Sequence, residues 1–333
     1  MGRLRSLFFG SVPRKVFSTV LILVVAAVVV VGVGVATGVF GVPSVDGIDN
    51  RFGAVNETTT VIETDVRVDN PNPIGISFGG VSADYDVLMN DVTMASGTKD
   101  GVSIGSGEST VPIRTRMRNE RIPDWWVTHV ENGEQTTLRV EGNVSSSLIG
   151  ESVAIPKVER TISTDIDSAL SSSETRPINA NQAPIADPLL YLNETSGSWG
   201  EVNDSTTEIN MEFVVYNPKP YPIPVSELGY NMTMNDVAVG SGESEGESVI
   251  APGSTATIRT TTMMRNGKLD EWWVSHLEKN QVTDLEIAFS ARVDLSNAPG
   301  DIANPTAIEI PLDTVEHRID TDVFGNKNET ADR

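Results

Sequence analysis

Few residues in this chain have the types and spacing that support chemistry. Gly101-Val-Ser-Ile-Gly105 matches the G-x-S-x-G pattern of a serine nucleophile, which requires a strand-to-helix turn together with a histidine and an acid. Here the pattern lies in a glycine- and serine-rich stretch between predicted strands, and its repeat around Ser248 lacks the second glycine. We therefore interpret Ser103 as part of a loop. Cysteine is absent, which excludes thiol nucleophiles, disulfides and zinc–thiolate centres.

Histidines and acidic clusters are the remaining candidates for a metal or acid–base site. His129 and His276 each lie four residues after a tryptophan and have no second histidine nearby, so we expect each to pack on a helix against that ring. Glu243, Glu245 and Glu247 alternate along the chain without the D-x-D-x-D-G pattern of a calcium loop, which favours solvated charge. The sequence therefore predicts no catalytic residue, no metal and no cofactor, and a protein that is not an enzyme.

The composition narrows the class of protein further. The 333 residues contain 24 basic and 46 acidic side chains, giving a net charge of −22. Phosphate recognition needs clustered lysine and arginine, so this balance excludes a nucleic-acid partner. Hydrophobic residues make up 39% of the chain, which is sufficient for packed cores. A chain of this length suits about two domains.

The N-terminal segment has the pattern of a membrane anchor. Residues 1–15 contain four basic residues and no acid, and residues 16–45 contain no charge at all. Because about 20 apolar residues span a bilayer, we predict a transmembrane helix over 16–42. The positive flank places residues 1–15 in the cytoplasm and the rest outside the cell membrane. A cleaved signal peptide is the alternative, but its apolar core spans only about 7–15 residues.

The remainder of the chain is an internal duplication. Asn70-Pro-Asn-Pro73 recurs as Asn217-Pro-Lys-Pro220, and Asp124-Trp-Trp-Val127 recurs as Glu271-Trp-Trp-Val274, both at a shift of 147 residues. The hairpin that begins at Tyr85 recurs from Tyr230 at a shift of 145. A colinear series with two small gaps indicates two copies of one domain. We predict domains over 45–168 and 187–325, a linker over 169–186 and a polar tail over 326–333.

Each copy combines strands with one short helix. Apolar and polar residues alternate from Ile62 to Val68 and from Leu285 to Leu295, which predicts half-buried strands. Asn-Pro ends the first strand of each copy, because proline cannot donate to a sheet. Apolar residues at 122, 126 and 130 have helical spacing. The predicted fold class is mainly β, with two tandem antiparallel β-sandwich domains of the immunoglobulin or fibronectin-III kind, each with one short embedded helix.

The order of these motifs resembles the late-embryogenesis-abundant type 2 family, also called the WHy (water stress and hypersensitive response) domain. The Asn-Pro segments are similar to its strand-ending motif, and the Tyr-x-x-x-Met-Asn-Asp-Val segments to its hairpin. The resemblance implies a two-sheet sandwich, no catalysis, and protection under desiccation or osmotic stress. The acidic, lysine-poor composition is similar to that of a halophilic archaeal member. The motif residues that would have a structural role are Asn70, Pro71, Pro73, Tyr85, Asn90, Asn217, Pro218, Pro220, Tyr230 and Asn235.

Two further sets of residues are candidate sites. In each tryptophan pair, neighbouring helix positions point about 100° apart, so we expect one ring in the core and one at its edge, where it could contact a partner. These pairs are Trp125 with Trp126 and Trp272 with Trp273. The N-x-S/T sequons, candidate glycan acceptors outside the membrane, are Asn56, Asn143, Asn193, Asn203, Asn231 and Asn328.

The sequence leaves three functions open. The leading hypothesis is a membrane-anchored surface protein that protects the envelope under water stress. The first alternative is an adhesion or assembly module that docks another envelope protein through a strand edge or the helix. The second is a carrier of a lipid or small apolar ligand between the two sheets. An exposed apolar surface favours docking, and an enclosed apolar cavity favours the carrier.

Overall fold

A computed structural model describes residues 43–147, 151–154, 158–182, 184–296, 298–299, 307–325 and 327. The predicted membrane anchor over 16–42 lies outside these residues. Among the residues that are described, no helix is long and apolar enough to cross a membrane. The chain divides into two compact units. Unit 1 contains the chain up to Ser163 and from Thr321 onwards, and unit 2 contains Thr164–Asp320.

Among the described residues, unit 1 contains eight strands and an α-helix. Its strands are antiparallel in the order β1-β2-β5-β4-β3-β6-β7, and β8 also pairs with β6. A single residue pair, Ala95 with Met117, joins β4 to β5. The elements are β1 (Ser44–Val55), β2 (Thr59–Asn70), β3 (Ile76–Met89), β4 (Val92–Ile104), β5 (Gly107–Arg118), α1 (Ile122–Glu131), β6 (Gln135–Ser146), β7 (Glu151–Ala154) and β8 (Val158–Ser163).

The part of unit 2 that the structure describes contains two four-stranded antiparallel sheets, in the orders β14-β11-β10-β9 and β13-β12-β15-β16. The ring of Phe213 on one sheet contacts that of Phe289 on the other at 5.0 Å between centroids. The two sheets therefore share one core. The elements are α2 (Ile166–Ala169), β9 (Arg176–Ile178), β10 (Leu190–Val202), β11 (Thr206–Tyr216), β12 (Ile223–Met234), β13 (Val237–Ile250), β14 (Thr255–Arg265), α3 (Leu269–Glu278), β15 (Val282–Asp294) and β16 (Ala307–Asp320).

The mainly β, antiparallel architecture confirms the prediction made from the alternating sequence pattern. In β11 the residues at 209, 211, 213 and 215 are all buried, and in β15 those from 285 to 293 alternate in the same way. The strands β2 and β11 end at the Asn-Pro motifs. The helix α1 begins at Ile122, as the spacing of its apolar residues predicts, and its counterpart α3 begins at Leu269.

The stretch 169–186, predicted as a linker, is part of the folded body of unit 2. Leu170, Ile178 and Ile185 are buried, and β9 pairs with β10. The Arg176 guanidinium forms a two-pronged ion pair with the Asp313 carboxylate, at 2.7 and 3.1 Å. A polar composition predicts a linker, yet a few buried apolar side chains and one ion pair are sufficient to hold the segment in place.

The segments that follow the last strand of each copy are also related. Thr164-Asp-Ile166 follows β8, and Thr321-Asp-Val323 follows β16. We call residues 164–169 the first strap and residues 321–325 the second strap. The first strap packs in unit 2, where α2 contacts β10 and β16, whereas the second strap packs in unit 1. Each copy therefore supplies its strap to the other unit.

The first strap gives a direct test of this exchange. Ile166 is 4% exposed, so Ile166→Ala should destabilise unit 2 by about 2–5 kcal/mol through the cavity it leaves. Unit 1 should keep its stability, although residue 166 directly follows the unit 1 strand β8. Hydrogen exchange resolved by peptide measures both units in one sample. The matched control is Ser173→Ala at an exposed site nearby, and equal destabilisation of the two units by Ile166→Ala would refute the assignment.

Candidate functional site

The embedded helix of unit 1 positions a buried tryptophan–threonine–histidine cluster. The Trp125 indole nitrogen lies 2.8 Å from the Thr136 hydroxyl oxygen, and the His129 Nδ1 lies 2.8 Å from the same oxygen. Thr136 stands on β6 and is fully buried, and His129 is 2% exposed. The Trp125 and His129 rings are 5.3 Å apart, as the four-residue spacing predicts. Unit 2 repeats both 2.8 Å contacts with Trp272, His276 and Thr283.

Burial sets the charge of the histidine. An indole N–H can only donate, so the Thr136 hydroxyl oxygen accepts from Trp125 and also lies within hydrogen-bond distance of Nδ1 of His129. Burial lowers the pKa of His129 to about 4, although the Glu134 carboxylate and a backbone hydrogen bond with Gln135 act in the opposite direction. The imidazole is therefore neutral in the core and is a poor acid–base group at neutral pH.

All four tryptophans of the predicted pairs are buried, with exposed fractions of 8% and 2% in α1 and 4% and 4% in α3. The expectation that one ring of each pair lies at the edge of the core, where it could contact a partner, does not match this arrangement. The reason is that each helix is covered on more than one side: α1 contacts β4 and β6, and α3 contacts β13 and β15. Both rings of a pair therefore lie in the interior.

The Asn-Pro motifs close the turns that follow β2 and β11. The buried Asn70 side chain donates from Nδ2 to the carbonyls of Ile74, at 3.1 Å, and Gly105, at 2.7 Å. The Asn217 side chain does the same to the carbonyls of Tyr221 and Ile250, both at 2.9 Å. Each amide thus ties its own turn to the end of another strand. Pro71, Pro73, Pro218 and Pro220 follow these asparagines in the two turns.

The hairpin motifs use asparagine in a second way. Asn90 and Asp91 have φ of 49° and 67°, and Asn235 and Asp236 have 52° and 69°, which are the left-handed values of a two-residue hairpin turn. The Asn90 amide extends the sheet sideways, because Nδ2 donates to the Gln135 carbonyl at 2.8 Å. Its Oδ1 accepts from the backbone N–H of Thr137 at 2.8 Å. Asn235 makes the equivalent bonds to Val282 and Asp284.

The hairpin tyrosines lie over glycine on the neighbouring strand. A Cβ at Gly97 would come within 2.3 Å of the Tyr85 ring, and one at Gly242 within 2.9 Å of the Tyr230 ring. The hydroxyl of Tyr85 is 2.7 Å from that of Thr115 on β5. The hydroxyl of Tyr230 accepts from the Met263 backbone N–H at 2.8 Å and so joins the two sheets of unit 2.

Sequence reasoning missed a third pair of structural asparagines. Asn119 and Asn266 are fully buried where β5 and β14 lead into the helices. Asn119 accepts from the Thr60 hydroxyl at 2.8 Å and donates to the Asn56 carbonyl at 2.7 Å. Asn266 makes the same two bonds to Thr207 and Asn203. Their shift of 147 residues was the available signal, since a polar residue repeated at the end of an apolar strand indicates a buried partner.

The remaining candidate chemistry is not assembled into a site. Ser103 lies in β4 rather than in a loop, and its hydroxyl is 3.1 Å from that of Ser77. No helix follows, so the nucleophile geometry is absent from this stretch. Glu243, Glu245 and Glu247 lie in β13, and the described residues contain no group of three His, Cys, Asp or Glu side chains that could hold a metal ion.

One pocket of about 350 Å³ lies beside the first hairpin turn. It is open and polar, so it does not offer the apolar enclosure that a lipid carrier requires. Its lining residues are Asn90, Asp91, Asn132, Gln135, Thr137 and Arg139.

The sequon asparagines differ in exposure. Asn193 is half-buried and Asn328 lies outside the described residues. Exposed side chains occur at Asn56, Asn143, Asn203 and Asn231.

Comparisons with known proteins follow the same division into two units. A protein-family model described as late embryogenesis abundant protein matches residues 65–159, in unit 1, and 212–299, in unit 2. A 137-residue stretch is 28% identical to an uncharacterised protein of Methanocaldococcus jannaschii and covers 40% of this chain and 77% of that protein.

Two solved structures are also similar to part of the chain. A crystal structure of a protein from Archaeoglobus fulgidus is 28% identical, covers 40% of this chain and 98% of that one, and has a TM-score of 0.35. A solution structure of an Arabidopsis thaliana protein is 16% identical, covers 38% of this chain and 78% of that one, and has a TM-score of 0.30.

The shared threonine hydroxyl yields a stability prediction. Thr136→Val keeps the shape of the side chain but leaves a buried indole N–H and a buried imidazole nitrogen without this partner, so unit 1 should lose about 1–3 kcal/mol. Thr283→Val should do the same to unit 2. Chemical denaturation followed by tryptophan fluorescence measures the change. Thr110→Val, at an exposed site on β5, is the matched control, and a buried variant no less stable than this control would contradict the hydrogen-bond assignment.

The low pKa of His129 predicts a pH dependence. Between pH about 6.5 and about 4 the unfolded chain binds a proton at this residue and the folded chain does not. The free energy of unfolding of unit 1 is therefore highest above this pH window. It falls by up to about 3 kcal/mol as the pH drops through the window. Denaturation series at several pH values measure the slope, and subtracting the His129→Gln slope removes the carboxylate contribution. Identical slopes in the two proteins would show that the histidine is not the source.

Proposed function

Because the chain belongs to the late embryogenesis abundant protein family, with one matched region in each unit, we propose that it is a non-enzymatic, membrane-anchored surface protein that protects the cell envelope under desiccation or osmotic stress. In this proposal each unit is a β-sandwich with an embedded helix. The protein acts through its hydrated acidic surface rather than through a reactive site.

The observation that carries this proposal is that polar side chains repeated in both copies are buried and form hydrogen bonds in the interior. Asn70, Asn217, His129 and His276 are all at most 2% exposed, and each one bonds to a neighbour in the interior. The residues that recur in both copies therefore hold the fold together. A protein whose repeated polar residues are occupied in this way offers its surface, and not a pocket, to its surroundings.

The charge distribution supports the same proposal. On the outer face of unit 1, Arg51 pairs with Glu63 at 2.7 Å and Asp65 at 2.6 Å, and Arg67 pairs with Asp49 at 2.7 Å. These two cations are thus paired locally with carboxylates, and the chain as a whole has a net charge of −22. Such a charge keeps a protein soluble, and concentrated salt screens its self-repulsion. A halophilic source is part of the proposal for this reason.

The proposed location follows from the N-terminal sequence. Residues 16–42 anchor the chain in the cell membrane with the N-terminus in the cytoplasm, and both units lie outside the cell. The exposed sequons at Asn56 and Asn203 occupy matching positions in the two copies and are the favoured glycan acceptors.

A deletion strain tests the function. Cells that lack the protein should survive drying and osmotic downshift less well than the parent, and the full chain should restore survival. The control is a chain lacking residues 1–42, which keeps both units but should restore survival poorly because it is not anchored. Protease added to intact cells should degrade both units of the anchored protein. Protection of the C-terminal half would exclude the outward placement, and normal survival with one specific crosslinked envelope protein would favour docking.

A further inference from the structure

The second strap, residues 321–325, is a turn that holds its own shape. The Asp322 carboxylate accepts from the backbone N–H of Gly325 at 2.7 Å and from that of Lys327 at 3.3 Å. Gly325 has a φ of 74°, which favours glycine. The Gly325 bond lies within the strap, and the Lys327 bond links the strap to a residue just beyond it.

Unit 1 binds this turn as a protein binds a short peptide. Arg160 on β8 donates from Nη1 to the Val323 carbonyl at 2.6 Å and from Nη2 to the Asp322 carbonyl at 3.3 Å. Phe52 on β1 packs against Phe324, with 4.6 Å between ring centroids. The strap thus connects β1 to β8, which are end strands of the sheet. Two backbone carbonyls and one aromatic ring are the recognised groups.

The first strap, residues 164–169, shows that the chain already exchanges such segments. It follows β8 as the second strap follows β16, yet it lies in unit 2, where Ile166 is buried. The second strap, by contrast, is held in unit 1 by an arginine and a phenylalanine.

We propose that the strap surface of unit 1, formed by Phe52 and Arg160, is also a docking site for a second copy of this chain, which supplies its own residues 321–325. The Arg160 hydrogen bonds and the Phe52 ring contact are made to residues 322–324 of the strap, so a strap from another molecule can make the same contacts. Exchange of an identical element between copies is an established route to dimers. Tethering favours the strap of the same chain, and a high local concentration favours that of a neighbour. This inference goes beyond the proposed function and does not depend on it.

Complementation between two full-length variants tests the proposal. Arg160→Ala removes the site but keeps the strap, and Phe324→Ala weakens the strap but keeps the site. Each variant alone should remain monomeric, because neither has an intact pair. Mixed in detergent, they should form a 1:1 heterodimer in which the Phe324→Ala chain takes the strap of the Arg160→Ala chain. Native mass spectrometry should show about tenfold more of it than when the Arg160→Ala/Phe324→Ala double variant replaces the Arg160→Ala chain.

Two controls keep the outcome decisive. Hydrogen exchange in β2 and β11 must match the parent protein in each variant, and Arg160→Met, which retains an apolar stem, replaces Arg160→Ala where the latter unfolds unit 1. A mixture of folded variants that stays monomeric would overturn the proposal. Equal heterodimer formation with the double variant would also overturn it, because association would then come from another surface.

Discussion

The fold depends on asparagine side-chain amides that bond to the backbone where strands end. A β-sheet leaves backbone N–H and C=O groups unpaired wherever a strand ends, and burying such a group without a partner costs about 1–3 kcal/mol. In unit 1, Asn70, Asn90 and Asn119 each lie at such a point and bond to backbone groups of a distant segment. A side-chain amide can donate and accept hydrogen bonds at once, so it makes the bonds that a backbone residue of a neighbouring strand would otherwise make. The same arrangement in unit 2 makes the two copies alike in their turns.

The tryptophan–threonine–histidine cluster applies the same principle to the helix. A short amphipathic helix gains most of its stability from packing, and here its two tryptophans supply the apolar area. The indole N–H and the imidazole nitrogen would be unpaired in that core, and one threonine hydroxyl partners both. These polar groups of the repeat are therefore paired in the interior.

Local patterns in the sequence predicted the local structure well. The alternation in β2 and β15, the Asn-Asp hairpins and the helix that begins at Ile122 each depend on residues that are neighbours in the chain. The contacts that were missed connect remote residues. Thr60 and Asn119 are 59 residues apart. The strand β9 pairs with β10, although the polar composition of its segment does not indicate a strand. The burial of both tryptophans in a pair was missed because it depends on which strands cover the helix.

The crossing of the straps has a consequence for the history of the gene. Once the final segment of each repeat had come to complete the opposite unit, the two copies ceased to be separable parts. A genetic deletion of either repeat would also remove the strap that packs in the remaining unit. A return to a single copy would therefore require the remaining repeat to bind its own terminal segment instead. The duplication is in this sense difficult to reverse, because each unit contains a segment that the other copy encodes.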